Sequence, residues 1–219
     1  MHSLVTEIYE TNSWRDGEFA KFRVNPHQVD PVLWGRMCVP MIYANWEGFV
    51  VSSLKMLLKH INQAIFTKML LKHLNKLELT PLQIPTRLVV VGLGDTYRSL
   101  SGKQSFEQRC EFTDKFNELL KNTIQFKTKI ETKSNLHSGV LKELCQMFAF
   151  DFEKFSDVTV TLDRLVQVRN CIAHGENSIL PTQENIESYI DAVKAAIDIM
   201  LEEIDLFLTQ ESYLYKQQA

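Results

Sequence analysis

The sequence lacks the cysteine pattern of a zinc-binding or disulfide-rich protein. It has four cysteines in 219 residues, and no two of them form a CxxC pair, which argues against a zinc ribbon or finger. Scattered cysteines at helix-like positions are typical of reduced, buried residues in a cytoplasmic protein. No clustered set of His, Cys or carboxylate ligands is visible either, so we expect no metal and no other cofactor.

The chain also lacks an excess of positive charge. Its formal net charge is −3 and its pI is about 6.1, whereas a strongly basic chain would indicate nucleic-acid binding by charge alone. If this protein binds RNA, its basic groups must be concentrated locally.

Long apolar runs are missing as well. The most apolar stretch, residues 37–58, contains Pro40 and five polar residues, more than a membrane span would usually accept. The first 14 residues include Glu7 and Glu10 and do not resemble a secretory signal. We therefore predict a cytoplasmic protein that has no membrane partner.

What the sequence does contain is helical periodicity. One apolar stripe at helix spacing comprises Ile42, Trp46, Phe49, Val50, Leu54, Leu57, Leu58 and Ile61. Further helices are predicted at about 63–79, 106–120, 138–148 and 161–175, and a long last helix should run from an N-cap at Thr182 to Leu208. We predict an all-α helical bundle with a long C-terminal helix, organised as a single domain over residues 1–219.

Three stretches give weaker signals. Residues 1–30 are poorly defined, residues 149–160 are predicted to be a loop, and residues 80–105 form an uncertain connector. Within that connector, the 88–91 stretch could be a strand by β-branched propensity or the end of a buried helix. Gly92 and Gly94 resemble the start of a dinucleotide loop, but the third glycine and the surrounding βαβ pattern are missing.

The most informative residues lie at the end of the helix predicted to finish near residue 175. Gly175 fits the left-handed position that follows a helix, so His174 should lie in the last turn. Asn170 is four residues before His174 and shares its face. Arg169 is five residues before His174, which places the two side chains about 140° apart around an ideal helix. We expect both side chains to lie on a polar edge, where truncating either costs little stability.

These residue types suit the cleavage of RNA without a metal. The 2′-hydroxyl of RNA can attack the adjacent phosphorus while a histidine moves the protons. Arginine donates to phosphate oxygens as charge develops, and Asn170 could orient the phosphate or the histidine. About 140° separates Arg169 from His174, so either a distorted helix end or a second copy of the helix across a twofold axis would be needed to bring both to one phosphate. We expect the second, a composite site in a homodimer, with the 182–208 helix supplying apolar interface.

The Arg-x(4–6)-His pattern alone is weak evidence. Eight arginines and six histidines in 219 residues give about 0.7 matches by chance. On spacing alone, an exposed arginine and a helix-capping histidine are the simpler interpretation, and the protein could then be a helical scaffold with no nucleic-acid role.

Three segments resemble known proteins. The segment from Arg169 to Glu176, RNCIAHGE, resembles the signature of the HEPN superfamily of all-α ribonucleases. Residues 43–50 resemble the early helix of the MAE-type HEPN-like nucleases of prokaryotes, and residues 132–136 with 139–141 resemble their middle segment. The three segments occur in that family's order and span residues 43–176.

The resemblance implies an all-α, usually dimeric, metal-independent endoribonuclease, often a toxin or an anti-phage defence effector. It implies Arg169 and His174 as the catalytic pair, Asn170 in support, RNA as substrate, and an antitoxin or defence-system protein as a further partner. In some HEPN toxins a tyrosine two residues after the histidine is modified by a partner enzyme. Glu176 stands at that position here. A non-catalytic HEPN-like protein-interaction module is the alternative.

Two further features have open interpretations. Glu47, among apolar neighbours, could orient the arginine or asparagine of the motif, or it could form a structural salt bridge. Lys127, Lys129 and Lys133 could contact an RNA backbone or form an ordinary solvated face.

Overall fold

A computed structural model describes residues 1–24, 29–75, 85–93, 106–121, 126 and 130–214. Within these ranges the chain forms eight α-helices, one short 3-10 helix and no strand, which confirms the predicted all-α fold. The helices are α1 (Ser3–Asn12), α2 (Trp14–Phe22), α3 (Pro31–Asn75), α4 (Thr86–Leu93), α5 (Phe106–Lys121), α6 (Ser138–Phe148), α7 (Ser156–Ala173) and α8 (Gln183–Thr209). None of these described helices is both long and apolar enough to cross a bilayer.

The centre of the fold is α3, a helix of 45 residues. Every residue of its predicted apolar stripe, from Ile42 to Ile61, is buried, and the stripe packs against α7 and α8. The sequence predicts two helical pieces here. The structure has one, because no glycine or proline separates the two pieces, and Pro40 is accommodated nearer the start of the helix.

The last helix, α8, begins as predicted. Thr182 is its N-cap, and its hydroxyl accepts from the backbone of Asn185 while the Asn185 side chain accepts from the Thr182 amide. The apolar stripe of α8 is buried within the chain by α1, α3 and α7. The expectation that this helix supplies a dimer interface is therefore not supported, because its stripe is already covered.

Two segments with weak sequence signals are helical. Residues 3–22 form α1 and α2, which pack on α3. Residues 152–155 form a 3-10 helix, and α7 begins at Ser156, about five residues before the predicted start. The buried Glu203 of α8 fixes the segment that leads into α7. Its carboxylate accepts a 2.7 Å hydrogen bond from the Asp151 amide and pairs with Lys154 Nζ at 2.6 Å. This long-range anchor leaves no local sequence signal.

The 88–91 stretch belongs to α4, so the helix alternative is confirmed and the strand is wrong. Leu88 is fully buried, and α4 packs on α6. The apolar character of the stretch reflects a buried helix face. Gly94 and the remainder of the connector to residue 105 lie outside the described residues.

All four cysteines are free. Cys38 and Cys145 are buried, and burial raises their thiol pKa values to about 11 and about 12. Cys110 is exposed and Cys171 is half-buried, so the expectation of buried cysteines holds for two of the four.

Candidate functional site

The motif helix ends as the sequence predicts. Gly175 has a left-handed φ of +81°, and its amide donates to the Ile172 carbonyl at 3.1 Å. The Glu176 amide donates to the Cys171 carbonyl at 3.0 Å, which completes a Schellman-type helix end. His174 is the C-cap residue and is exposed.

The loop after His174 is attached to α3. Nη1 of Arg36 donates to the carbonyl oxygens of Glu176 at 2.6 Å and Ile179 at 2.9 Å. One cation thus holds two carbonyls of the same loop, and the chain that leaves the motif keeps a fixed position relative to α3.

Arg169 points the other way, toward α3. Its guanidinium lies 3.8 Å from the ring centroid of the buried Tyr43, a cation–π contact. Its Nη2 donates to the carbonyl of Ser134 at 2.8 Å, while its buried Nε has no hydrogen-bond partner among the described residues. The side chain is therefore half-buried and packed, and the expectation of a free polar edge at this position is wrong.

The carbonyl that Arg169 contacts belongs to a tight turn. The Asn135 amide donates to the Thr132 carbonyl at 3.1 Å, and the two central residues, Lys133 and Ser134, have φ values of +56° and +50°. This is a type I′ turn, which normally contains glycine or asparagine at its centre. Each L-residue in this conformation costs about 1–2 kcal/mol, so the surrounding contacts must hold the turn in place.

Glu47 supplies one of those contacts. The Thr132 hydroxyl donates to Glu47 Oε1 at 2.5 Å, and on the far side of the turn the Leu136 amide donates to the Tyr43 hydroxyl at 2.9 Å. Tyr43 and Glu47 lie one helical turn apart on α3, so a single face of that helix fastens both sides of the turn. Glu47 makes no direct hydrogen bond or ion pair with Arg169 or Asn170, and it supports Arg169 through the turn.

Asn170 also joins this network. Its Nδ2 donates to Asn135 Oδ1 at 3.2 Å, so the amide holds the turn and does not bond to His174. Adjacent motif residues, Arg169 and Asn170, thus bind adjacent residues of the turn.

The electrostatics of the site centre on Tyr43. Burial raises the pKa of its phenol, and the nearby Glu47 carboxylate raises it further. The Leu136 amide and the Arg169 guanidinium act in the opposite direction but do not cancel the effect of burial. The Tyr43 phenol is therefore neutral, and its ring packs against the positively charged Arg169 guanidinium.

The structure brings together three of the four predicted site residues. Arg169, Asn170 and Glu47 converge on the turn, whereas His174 stands apart, with no side-chain hydrogen bond to any residue in the described ranges. Lys133 pairs with Glu143 at 2.7 Å on an exposed surface. Lys127 and Lys129 lie outside the described residues.

Sequence reasoning missed two supporting side chains, Tyr43 and Arg36. The four-residue spacing of Tyr43 and Glu47 on one helix face was a usable signal. Arg36 left none, because its partners are backbone carbonyls about 140 residues away.

A long buried central helix, a helix that ends in Arg-x4-His, and a long C-terminal helix define the chain as an HEPN domain. The family model described as RiboL-PSP-HEPN matches residues 10–206, and the chain belongs to this family. The predicted HEPN superfamily is confirmed, and the match extends well beyond the 43–176 segment that resembles the MAE-type nucleases. No curated protein and no solved structure matches the chain significantly. Domains of this superfamily are often ribonucleases, so membership suggests a nuclease or another RNA-related role.

Proposed function

We propose that this protein is a metal-independent endoribonuclease in which Arg169 binds the scissile phosphate and His174 transfers protons. The observation that carries the proposal is the state of the Arg169 guanidinium. Tyr43 and the Ser134 carbonyl hold it in one position, and the second nitrogen of its fork, Nη1, makes no hydrogen bond within the described structure. Such a preorganised cation can stabilise charge on a phosphate without reorganising during the reaction.

The chemistry requires one bond to form and one to break. The 2′-oxygen attacks phosphorus and loses its proton, while the bond from phosphorus to the 5′-oxygen breaks and that oxygen gains a proton. The products are a 2′,3′-cyclic phosphate and a 5′-hydroxyl. The exposed imidazole of His174 serves as the proton carrier.

No hydrogen bond joins the two groups among the described residues, since Arg169 packs against α3 and His174 is exposed. We therefore propose a homodimer in which the Arg169 of one subunit and the His174 of the other share a phosphate. Since the stripe of α8 is covered, a different apolar surface is needed. Leu33, Met37 and Met41, exposed at four-residue spacing on α3, supply one.

The test is an RNA cleavage assay in excess EDTA with analysis of the product ends. Wild type should cut RNA and leave cyclic phosphates, and His174→Ala should abolish cutting. His137→Asn is the matched control: it removes an exposed histidine but retains a side chain that can cap α6 as His137 does. Activity that is lost on chelation and restored by Mg²⁺, or a His174→Ala variant that cuts at the wild-type rate, would refute the mechanism.

Mixed dimers test the composite site. Arg169→Lys removes the planar fork that binds two phosphate oxygens, so we expect this variant and His174→Ala each to be inactive alone. Subunits that exchange should regain part of the activity, because one intact site forms in each mixed dimer. Full activity from a protein that sediments as a monomer would eliminate the composite site.

A non-catalytic HEPN-like interaction module is the second candidate. The observation that favours it is that Arg169 holds a turn, a role that needs no catalysis. Absence of cleavage by pure wild-type protein on single-stranded and structured RNA would support it. The role as a toxin or anti-phage effector, with an antitoxin or defence protein as partner, rests on the superfamily resemblance alone.

A further inference from the structure

A groove of about 380 Å³ runs along the motif helix on the side away from Tyr43. This volume falls in the range of small-ligand sites, about 300–1,000 Å³. The groove is lined by α7, by the loop that follows the motif, and by the first turns of α8. Its lining residues are Val160, Thr161, Arg164, Val168, residues 178–181, Asn185, Ser188 and Tyr189.

Three hydroxyl groups of this groove are unused within the described part of the protein. The hydroxyls of Thr161, Ser178 and Ser188 have no hydrogen-bond partner among the residues that the structure describes. Burial raises the pKa of the Tyr189 phenol, and the nearby Arg164 guanidinium opposes that rise. Arg164 donates to Gln167 Oε1 at 2.8 Å, so its guanidinium is held at the exposed edge of the groove.

Apolar side chains complete the walls. Val160 is 79% exposed and Leu180 is 58% exposed, and both lie at the groove. Exposed apolar groups beside free hydroxyls and a fixed guanidinium form a lining suited to a flat ring that has polar edges.

The groove adjoins the motif along the chain, although neither Arg169 nor His174 lines it. Val168 of its lining directly precedes Arg169, and the loop that leaves His174 becomes the opposite wall. Arg36 holds that loop through the Glu176 and Ile179 carbonyls. Arg164 is ten residues before His174, which is about 15 Å along the helix axis.

We propose that this groove binds the nucleotides that flank the cleavage point of a single-stranded RNA, with one base stacked on the Arg164 guanidinium. The proposal rests on the proposed ribonuclease function and names its substrate class. Stacking on arginine and hydrogen bonds to base edges are common modes of single-strand recognition. In an A-form duplex the bases are paired and stacked on one another, so no base face is free to stack on Arg164 and duplex RNA does not fit this lining.

Ser188→Trp tests the proposal by filling the groove. The matched control is Glu187→Trp, which adds the same ring at the preceding residue of α8, a residue that does not line the groove. Both positions are exposed, and the control also removes a negative charge, which on its own favours RNA binding. Both variants are made in a His174→Ala background to prevent cleavage, and circular dichroism and thermal melting confirm their fold.

The probes are fluorescent 12-nucleotide oligo(U) and oligo(A) and a 12-base-pair RNA duplex, titrated by fluorescence anisotropy. Loss of one stacked base weakens binding about tenfold or more. We expect that loss for Ser188→Trp, a similar loss for Arg164→Ala, and a change below about twofold for Glu187→Trp. If Ser188→Trp does not fold, Arg164→Ala against the same control decides the outcome.

The proposal is overturned if Ser188→Trp and Glu187→Trp bind single strands with equal affinity. It is also overturned if the parent protein binds duplex and single strands equally, or binds no RNA. Its failure is distinguishable from failure of the ribonuclease function. Unchanged binding together with cleavage by wild type refutes the groove only, whereas lost binding in a protein that never cleaves refutes the ribonuclease only.

Discussion

Replacing Arg169 with alanine should destabilise the fold as well as remove a proposed catalytic group. The variant loses the contact with the Tyr43 ring, worth about 0.5–2 kcal/mol. It also loses the charged hydrogen bond to the Ser134 carbonyl, worth about 1.5–3 kcal/mol. Because the side chain is only half-buried, we expect the free energy of unfolding to fall by about 2–3 kcal/mol.

Urea denaturation followed by circular dichroism measures this change at one protein concentration, since self-association also affects apparent stability. His174→Ala is the internal reference. Its side chain is exposed and unpaired within the described structure, so its free energy of unfolding should stay within about 0.5 kcal/mol of wild type.

A double-mutant cycle isolates the ring contact. Tyr43→Leu and Arg169→Ala, alone and combined, should give a coupling energy of about 1 kcal/mol. An Arg169→Ala protein whose stability lies within about 0.5 kcal/mol of wild type would refute the packed role of Arg169. It would also mean that the turn has another support.

Two further predictions concern local conformation and pH. Ser134→Gly should keep the carbonyl that Arg169 contacts and relieve the left-handed strain, so RNA cleavage should persist while stability rises by about 0.5–1 kcal/mol. The control is Ala149→Gly, which changes another left-handed residue with a φ of +54° outside the turn and should stabilise the protein similarly. A loss of cleavage in the Ser134 variant alone would contradict this account. Burial and the neighbouring His2 lower the pKa of His60 against a weaker opposing effect of Glu7. The stability that neutral His60 contributes is therefore present above the unfolded pKa of about 6.5 and is lost as pH falls from there through the lower pKa of the folded state. The melting temperature should therefore fall more between pH 7.5 and pH 5.5 in wild type than in His60→Gln, and equal losses would refute this reasoning.

Much of the fold follows from local patterns. The buried stripe of α3 is a run of apolar residues at helix spacing, and the start of α8 combines an N-cap Thr182 with a capping partner three residues later. Gly175 marks the end of α7 for a similar reason, because few other residues adopt its backbone conformation. Each of these features is encoded within a few residues of where it acts.

The site was less predictable because distant segments hold it together. The spacing of Arg169 and His174 identified the motif and the angle between its side chains. Nothing local indicated that the turn at Lys133 and Ser134 would be left-handed, since neither residue is the glycine or asparagine that such turns favour. The buried Glu203, which starts α7 early, is invisible for the same reason: its partners lie about fifty residues away.

The attachment of the motif loop to α3 has a consequence for synthesis of the chain. The contacts that define the site join residues 85, 93 and 140 positions apart, so the site has a high contact order and forms only after distant segments have met. A chain that stops at residue 175 contains both Arg169 and His174 but lacks the Glu176 and Ile179 carbonyls that Arg36 holds. During translation, the proposed site is therefore incomplete until the loop beyond the motif has left the ribosome.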